Sequence, residues 1–283
     1  MKQVLGLLEA GGCSGGAESA FYGGIAMIFK TVGNKSDPAI LFFHAMGVTG
    51  DSSIPVAEFL KDQYYCILPT STVYCAGQKY VSKLDEAEQI TEFLKDQGIQ
   101  SLCLVVASSL GADLALAFLT QSGIPTEHVF FDGGQFAKIP APVRHLMTPF
   151  LYLAIRSLYW SQGKTLKKIL WCDDESIRPY FIAAGKNLTY GNLYRQLSDS
   201  LLNTPFPPLP QQLQENSFWE FGEIEDHFKY REDVKKSYPF GNFPVFAQYN
   251  HMQYQIRDPQ GFARMLQSVI TRRALPELPF VRK

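Results

Sequence analysis

Four short segments of this 283-residue chain hold residues able to carry out nucleophilic chemistry. The first is Leu102-Cys103-Leu104-Val105-Val106-Ala107-Ser108-Ser109-Leu110-Gly111-Ala112-Asp113, an apolar strand-like run that passes directly into a helix-forming stretch. A strand that turns sharply into a helix has no room for large side chains two positions before or after its apex. Ala107 and Gly111 meet that need around Ser109, whereas an apex at Ser108 puts Val106 and Leu110 at the crowded positions. A hydroxyl on such a turn stands at the C-terminal edge of a sheet, and the Leu110 N–H lies at a helix N-terminus, ready to donate to developing negative charge. A serine that opens a helix also serves simply as an N-cap, so the other three segments decide its meaning. His44-Ala45-Met46-Gly47-Val48-Thr49-Gly50 is a small-residue loop after an apolar run. Tyr249-Asn250-His251-Met252-Gln253-Tyr254 sets a histidine between a strand pattern and a helix pattern. Phe218-Trp219-Glu220-Phe221-Gly222-Glu223-Ile224-Glu225-Asp226 sets acids just beyond another strand pattern. Nucleophile, acid and base therefore follow in the order Ser109, Glu225, His251, each at a predicted strand end. A serine next to an imidazole held by a carboxylate is the arrangement that acyl transfer requires.

The elements that must position these residues are legible as hydrophobic pattern. Ala39 to Phe43, Tyr65 to Leu68, Leu102 to Ala107 and Val129 to Phe131 are brief apolar runs rich in β-formers, the pattern of strands buried on both faces. Leu84 to Gln97 is amphipathic and stops before Gly98, and Leu110 to Gln121 is almost wholly apolar, so both read as helices packed on a sheet. Strands alternating with helices predict βαβ units and a mostly parallel sheet. From about Gln135 to Gln212 strand patterns are absent. Helical stretches such as Phe150 to Trp160 and Asn187 to Leu202 stand there instead, closed by the breaker Pro205-Phe206-Pro207-Pro208-Leu209-Pro210. The strand rhythm resumes with Ser217 to Phe221 and Pro244 to Tyr249 and ends in a helix from Pro259 to Thr271. The expected organisation is a core, residues 1–134, a helical cap inserted after the sixth strand, residues 135–212, and the rest of the core, residues 213–283.

Composition narrows the function classes. Lys and Arg total 26 against 27 Asp and Glu, a net charge of −1, so no positive surplus exists to neutralise a phosphate backbone and nucleic acid is not expected as a partner. Five cysteines, Cys13, Cys66, Cys75, Cys103 and Cys172, without a CxxC pair suggest neither a disulfide framework nor a zinc site. No apolar stretch approaches the ~20 residues of a transmembrane helix. The Val4 to Leu8 run with Cys13 resembles a short lipoprotein leader, but Glu9 interrupts it, so cytoplasmic residence is the expectation. Asn187-Leu188-Thr189 matches a glycosylation acceptor in form only.

On these residues the chain resembles the α/β-hydrolases, of the capped serine hydrolase or esterase type. The resemblance runs from about Gly24 to the last helix and covers the oxyanion loop, the nucleophile elbow and the Gly-x-x-acid turn at Gly222. It implies an α/β fold with a mostly parallel central sheet, flanking helices and a helical cap. It also implies roles: Ser109 as nucleophile, His251 as general base and then acid, Glu225 as the orienting acid, and the N–H groups of Met46 and Leu110 as the oxyanion hole. Asp226, adjacent to Glu225, and Asp132, after an earlier strand, remain alternative acids. The chain departs from the family pattern at Ala45, where Gly is usual, at Ala107, and at Thr70 to Gly77. The implied activity is cleavage of an ester, thioester or small amide through an acyl-enzyme, with no cofactor and no metal. A catalytically silent small-molecule binding protein and non-hydrolytic, C–C cleaving or lyase use of the same triad are the alternatives. The run Phe150, Leu151, Tyr152, Leu153, Ile155, Leu158, Tyr159, Trp160 suits a substrate with a hydrophobic moiety, and equally suits a helix that buries its apolar face on the core.

Overall fold

The computed structural model describes residues 27–134, 136, 140–166, 175–200 and 206–282. The leader-like stretch, Gly24, Cys13, Cys172, Gln135, Leu202 and Pro205 fall outside the described residues.

Eight strands form the sheet: β1 (Ile28–Val32), β2 (Ala39–Phe43), β3 (Tyr65–Thr70), β4 (Leu102–Ser108), β5 (Thr126–Asp132), β6 (Ser217–Gly222), β7 (Val245–Phe246) and β8 (Val281–Arg282). Their spatial order is β1-β3-β2-β4-β5-β6-β7-β8. β2 through β7 pair in parallel, while β1 and β8 close the two edges antiparallel. The central strands β2, β3 and β4 are buried at every residue, which is why they carry no alternation in sequence. β1 was not singled out by pattern. It is an edge strand whose only buried side chain, Phe29, stacks on Phe93 at 4.0 Å.

Helices α1 (Lys83–Asp96) and α2 (Gly111–Gln121) cover one face of the sheet. Ile90, Phe93, Leu94, Leu116 and Phe118 pack there with Leu41, Phe43 and Val105. The other face is covered by the helix Pro259–Arg272, whose Phe262, Met265, Leu266 and Val269 meet Ile40, Leu104 and Phe130.

Between β5 and β6 the described residues hold helices α3 (Ala141–Trp160), α4 (Arg178–Asn187) and α5 (Tyr190–Asp199), with a short helix at Gln211–Glu215, and no strand. β5 is the fifth described strand, so among the described residues these helices follow a fifth strand and not the sixth expected. Asn187 does not begin a helix, as the pattern suggested, but ends one. Leu188 turns out at ψ 128°, and the Thr189 side chain caps the next helix by accepting from the Asn192 N–H. The Asn187 side-chain amide donates to the Tyr74 carbonyl at 3.0 Å, a bond that a glycan on that nitrogen would disrupt. The expected strand Pro244 to Tyr249 is only two residues long. At the sheet edge the chain leaves the ladder at once, through Gln248 at φ 62°.

Candidate active site

The sheet register sets the site. Ser108 on β4 lies opposite Asp132 on β5, and Asp132 lies opposite Glu220 on β6, one row across three C-terminal strand ends. Just past that row, Ser109 has φ 52°, a left-handed conformation that side chains adopt rarely and at a cost of roughly 1–3 kcal/mol. Its N–H donates to the Asp132 carbonyl at 3.0 Å, which ties the strained turn to β5. Ser108 is still extended strand, and its hydroxyl accepts from Gln255 Nε2 at 3.0 Å. The turn is possible because Gly111 lets helix α2 approach the end of β2. A Cβ there would stand 2.6 Å from both the Phe43 and His44 carbonyl oxygens.

Loops after β6 and β7 bring the acid and the histidine together. The Glu223 N–H donates to the Phe246 carbonyl and the Ile224 N–H to the Tyr249 carbonyl, which laces the two loops side by side. Asn250 holds the histidine: its side-chain oxygen accepts from the His251 N–H at 2.8 Å, while its own N–H donates to Gln253 Oε1. The result is a hydrogen bond of 2.6 Å between His251 Nδ1 and Glu225 Oε2, with both residues buried. Of the alternative acids, Asp226 is exposed. Asp132 is buried and close enough to feel the His251 charge, but its hydrogen bonds run to Glu220 and Gln255. Burial pushes the Asp132 carboxyl up to about 6 and Glu220 well above the usual carboxylate range, the neighbouring carboxylate adding to the latter. Two carboxyls hydrogen-bonded to each other in a dry site hold a proton between them. Gly133 fits between this pair and the imidazole, where a Cβ would come 2.5 Å from His251 Nδ1. Glu220, Gln255 and His227 are site residues that the sequence reading passed over. In sequence Glu220 is one residue of a strand pattern; in the fold it is buried beside Asp132. His227 sits on the short turn Asp226–Tyr230 with its ring centroid 5.1 Å from that of His251. Burial, ahead of the His251 charge, lowers its pKa.

Two backbone N–H groups, one on the loop after β2 and one at the start of α2, have no acceptor among the described residues. Neither the Met46 nor the Leu110 N–H donates to an acceptor among the described residues, and both residues line one cavity of ≈ 30 Å³ with His44, Ser71, Glu86 and Lys83. Ser109 and His251 are not on that wall, so the cavity lies behind the donors and not over the hydroxyl. The loop itself is held by side chains. His44 Nε2 accepts the Ser71 N–H at 3.0 Å, which leaves the proton on Nδ1 to donate to the Ala45 carbonyl at 2.8 Å. Burial draws the His44 pKa down to about 4, so the ring is neutral. Tyr74 Oη accepts the Gly47 N–H at 2.7 Å. Glu86 Oε1 accepts from Ser71 Oγ, the Thr72 N–H and Thr72 Oγ1, each at 2.7 Å. Desolvation outweighs these bonds and lifts the Glu86 pKa to about 7. The segment Thr70 to Gly77 is thus a strut under the loop after β2.

Helices α3 to α5 lie against this strut. Ile155, Ala184, Leu188, Leu193 and Leu197 pack on Val73, Tyr74 and Tyr80, and Met46, Leu151, Tyr152 and Tyr230 join the cluster partly buried. Of the run on α3, Phe150, Leu153 and Trp160 remain exposed, while Leu151, Tyr152 and Ile155 pack in the cluster with Met46, and Leu158 packs with Ala45 and Val48.

No protein-family model and no curated protein sequence matches the chain. Solved structures do. An α/β-hydrolase-family protein from Desulfitobacterium hafniense superposes with a TM-score of 0.67 at 15% identity, covering 86% of this chain and 100% of the other. A carboxylesterase of Nitrososphaera gargenis gives 0.67 at 14%, covering 88% and 96%. A marine microorganism esterase gives 0.65 at 17%, covering 87% and 99%. At such identities the likeness speaks to architecture: the chain has the α/β-hydrolase fold.

Proposed function

We propose that this chain is a serine hydrolase that cleaves an ester, thioester or small amide through an acyl-enzyme on Ser109. The observation that carries the reading is the buried 2.6 Å bond between His251 Nδ1 and Glu225 Oε2, beside the strained turn at Ser109. With its proton on Nδ1, the imidazole has its lone pair on Nε2. In this mechanism Nε2 takes the Ser109 proton as Oγ attacks the carbonyl carbon, and returns it to the leaving group as the tetrahedral adduct collapses. Water then repeats the sequence on the acyl-enzyme. Glu225 keeps the tautomer and stabilises the imidazolium. The Met46 and Leu110 N–H groups receive the oxyanion, and their lack of other acceptors supports that role. No step calls on a metal or organic cofactor. The esterases among the similar folds favour the same reaction class.

Residues 135–212 act as the cap in this account, inserted between core segments 1–134 and 213–283. The apolar side of α3 over the oxyanion loop favours a substrate with a hydrophobic moiety. No helix among the described residues is long and apolar enough to cross a membrane, and Cys66, Cys75 and Cys103 are buried free thiols, which favours a reducing, cytoplasmic setting. The test is stopped-flow turnover of p-nitrophenyl esters of increasing acyl length. A burst of p-nitrophenol equal to the enzyme concentration, followed by slower turnover, is expected. A folded protein that gives neither burst nor turnover across the series contradicts the reading.

A further inference from the structure

His227 does not take part in the proton transfers above, yet it stands against the residues that do. One ligand atom from each of Glu225, His227 and His251 lies within 4.8 Å of the others. Two imidazoles and a carboxylate are a donor set suited to Zn²⁺ and its neighbours among the divalent transition metals. A second feature of the cluster points the same way. Glu225 binds His251 through Oε2 only, and its Oε1 is buried without a hydrogen-bond partner among the described residues. A carboxylate oxygen withdrawn from water and left unbonded is costly, and a bound cation or its water satisfies it.

We propose that Glu225, His227 and His251 form an inhibitory site for Zn²⁺ or a similar divalent transition metal, one that occupies the hydrolytic machinery and switches it off. Zinc bonds of ~2.0–2.2 Å set tetrahedral ligand atoms about 3.4 Å apart, so separations of up to 4.8 Å in the cluster close by up to about 1.4 Å, and the 2.6 Å contact between His251 Nδ1 and Glu225 Oε2 opens by about 0.8 Å where Oε2 is the ligand. His227 is on a five-residue turn and only partly buried, so rotation of its side chain supplies the closure. The fourth position goes to water. His251 ligates through Nδ1, the ring edge that faces Glu225. The neutral ring binds in its other tautomer, its one N–H proton passing from Nδ1 to Nε2 with none released. The base then carries a donor where the hydrolytic mechanism needs a lone pair. This stops acyl transfer without touching Ser109, and a chelator restores it.

The inhibitory half of this inference rests on the proposed hydrolase mechanism, while the binding half does not. The experiment therefore reads both. Metal-free protein is titrated with ZnCl2 by isothermal calorimetry, in parallel with p-nitrophenyl ester turnover with and without added zinc and then EDTA. His227→Ala and His227→Gln are compared with wild type and with His145→Ala, a control for an exposed histidine on α3. The expected result is one zinc per chain in wild type and His145→Ala, with affinity reduced ~10-fold or more in both His227 variants. Zinc arrests wild-type turnover and EDTA recovers it, while each His227 variant, compared with its own zinc-free rate, resists zinc in proportion to its loss of affinity. Equal zinc affinity in wild type and both His227 variants overturns the site. So does stoichiometric, His227-dependent binding that leaves turnover unchanged. A wild type that binds one zinc through His227 but hydrolyses no ester in its absence supports the metal site and overturns the hydrolase reading instead.

Discussion

At the scale of single residues, the account turns on which carboxylate holds the imidazole. Glu225 is bonded to His251, Asp226 points its acid from an exposed position, and Asp132 is committed to Glu220 and Gln255. Glu225→Gln removes the charge and offers an amide donor where an acceptor is needed, so the wrong tautomer is favoured. Turnover should fall by about 10⁴-fold, while Asp226→Asn should leave it near wild type. Steady-state kcat on a p-nitrophenyl ester checks both variants. A large loss in Asp226→Asn with Glu225→Gln unaffected would exchange their roles. The sequence was informative here to the extent that steric arguments apply. Small residues at Ala107 and Gly111 single out Ser109 over Ser108, and the structure finds the positive φ at Ser109. Spacing favoured Glu225 but left Asp226 and Asp132 open, because the choice depends on where two loops cross. The buried pair Asp132 and Glu220 escaped notice for a related reason: their contact is made by strand register, which no local pattern encodes.

At the scale of elements, the support of the oxyanion loop is the least expected feature. His44, Ser71, Thr72 and Glu86 come from β2, from the end of β3 and from α1, and they meet only in the folded chain. Glu86 titrates at about 7 in the fold against 4.5 unfolded. Between those values the folded state holds a proton that the unfolded state has lost, so its contribution to stability falls as pH rises from about 4.5 to 7 and is level above that. The span amounts to about 3 kcal/mol. His44 acts in the opposite sense. Its folded pKa of about 4 lies below the unfolded 6.5, so its contribution is lost as pH falls through that window. Glu86→Gln should therefore gain stability relative to wild type as pH rises from 5 to 8, read as the difference between their urea midpoints. Denaturation curves that stay parallel over that range would show that Glu86 does not carry the buried charge. The paired strands and helices of the core were readable because burial on both faces produces continuous apolar runs. The boundary at Leu188 and Thr189 was not, because a two-residue bend between helices leaves the pattern unbroken until the Thr189 side chain is seen to cap the second by accepting from the Asn192 N–H.

For the whole molecule, one aromatic stack links the sheet to the elements that close it. Trp219 on β6 is fully buried, stacks on Phe131 of β5 at 4.1 Å and on Tyr238 at 4.5 Å, and donates from Nε1 to Ser217 Oγ at 2.6 Å. It sits one residue before Glu220 and six before Glu225, so the stack also fixes the strand from which the acid loop departs. Trp219→Ala should destabilise the chain by about 3–5 kcal/mol, measured by urea denaturation. A loss below 1 kcal/mol would mean that the core repacks around the gap. The covering helices meet the loop after β2 where Leu151 and Tyr152 pack with Met46, so in the proposed function the insertion shapes what is accepted while the sheet edge carries the reaction.

The central claim is that Ser109 is an activated nucleophile, and mass spectrometry of the intact chain after exposure to a fluorophosphonate tests it most directly, with peptide mapping of the adduct. The account predicts one adduct per native chain, mapped to Ser109 and not Ser108, absent from Ser109→Ala and from protein denatured beforehand. A native, folded chain that takes no adduct, or one that Ser109→Ala takes equally, would contradict it.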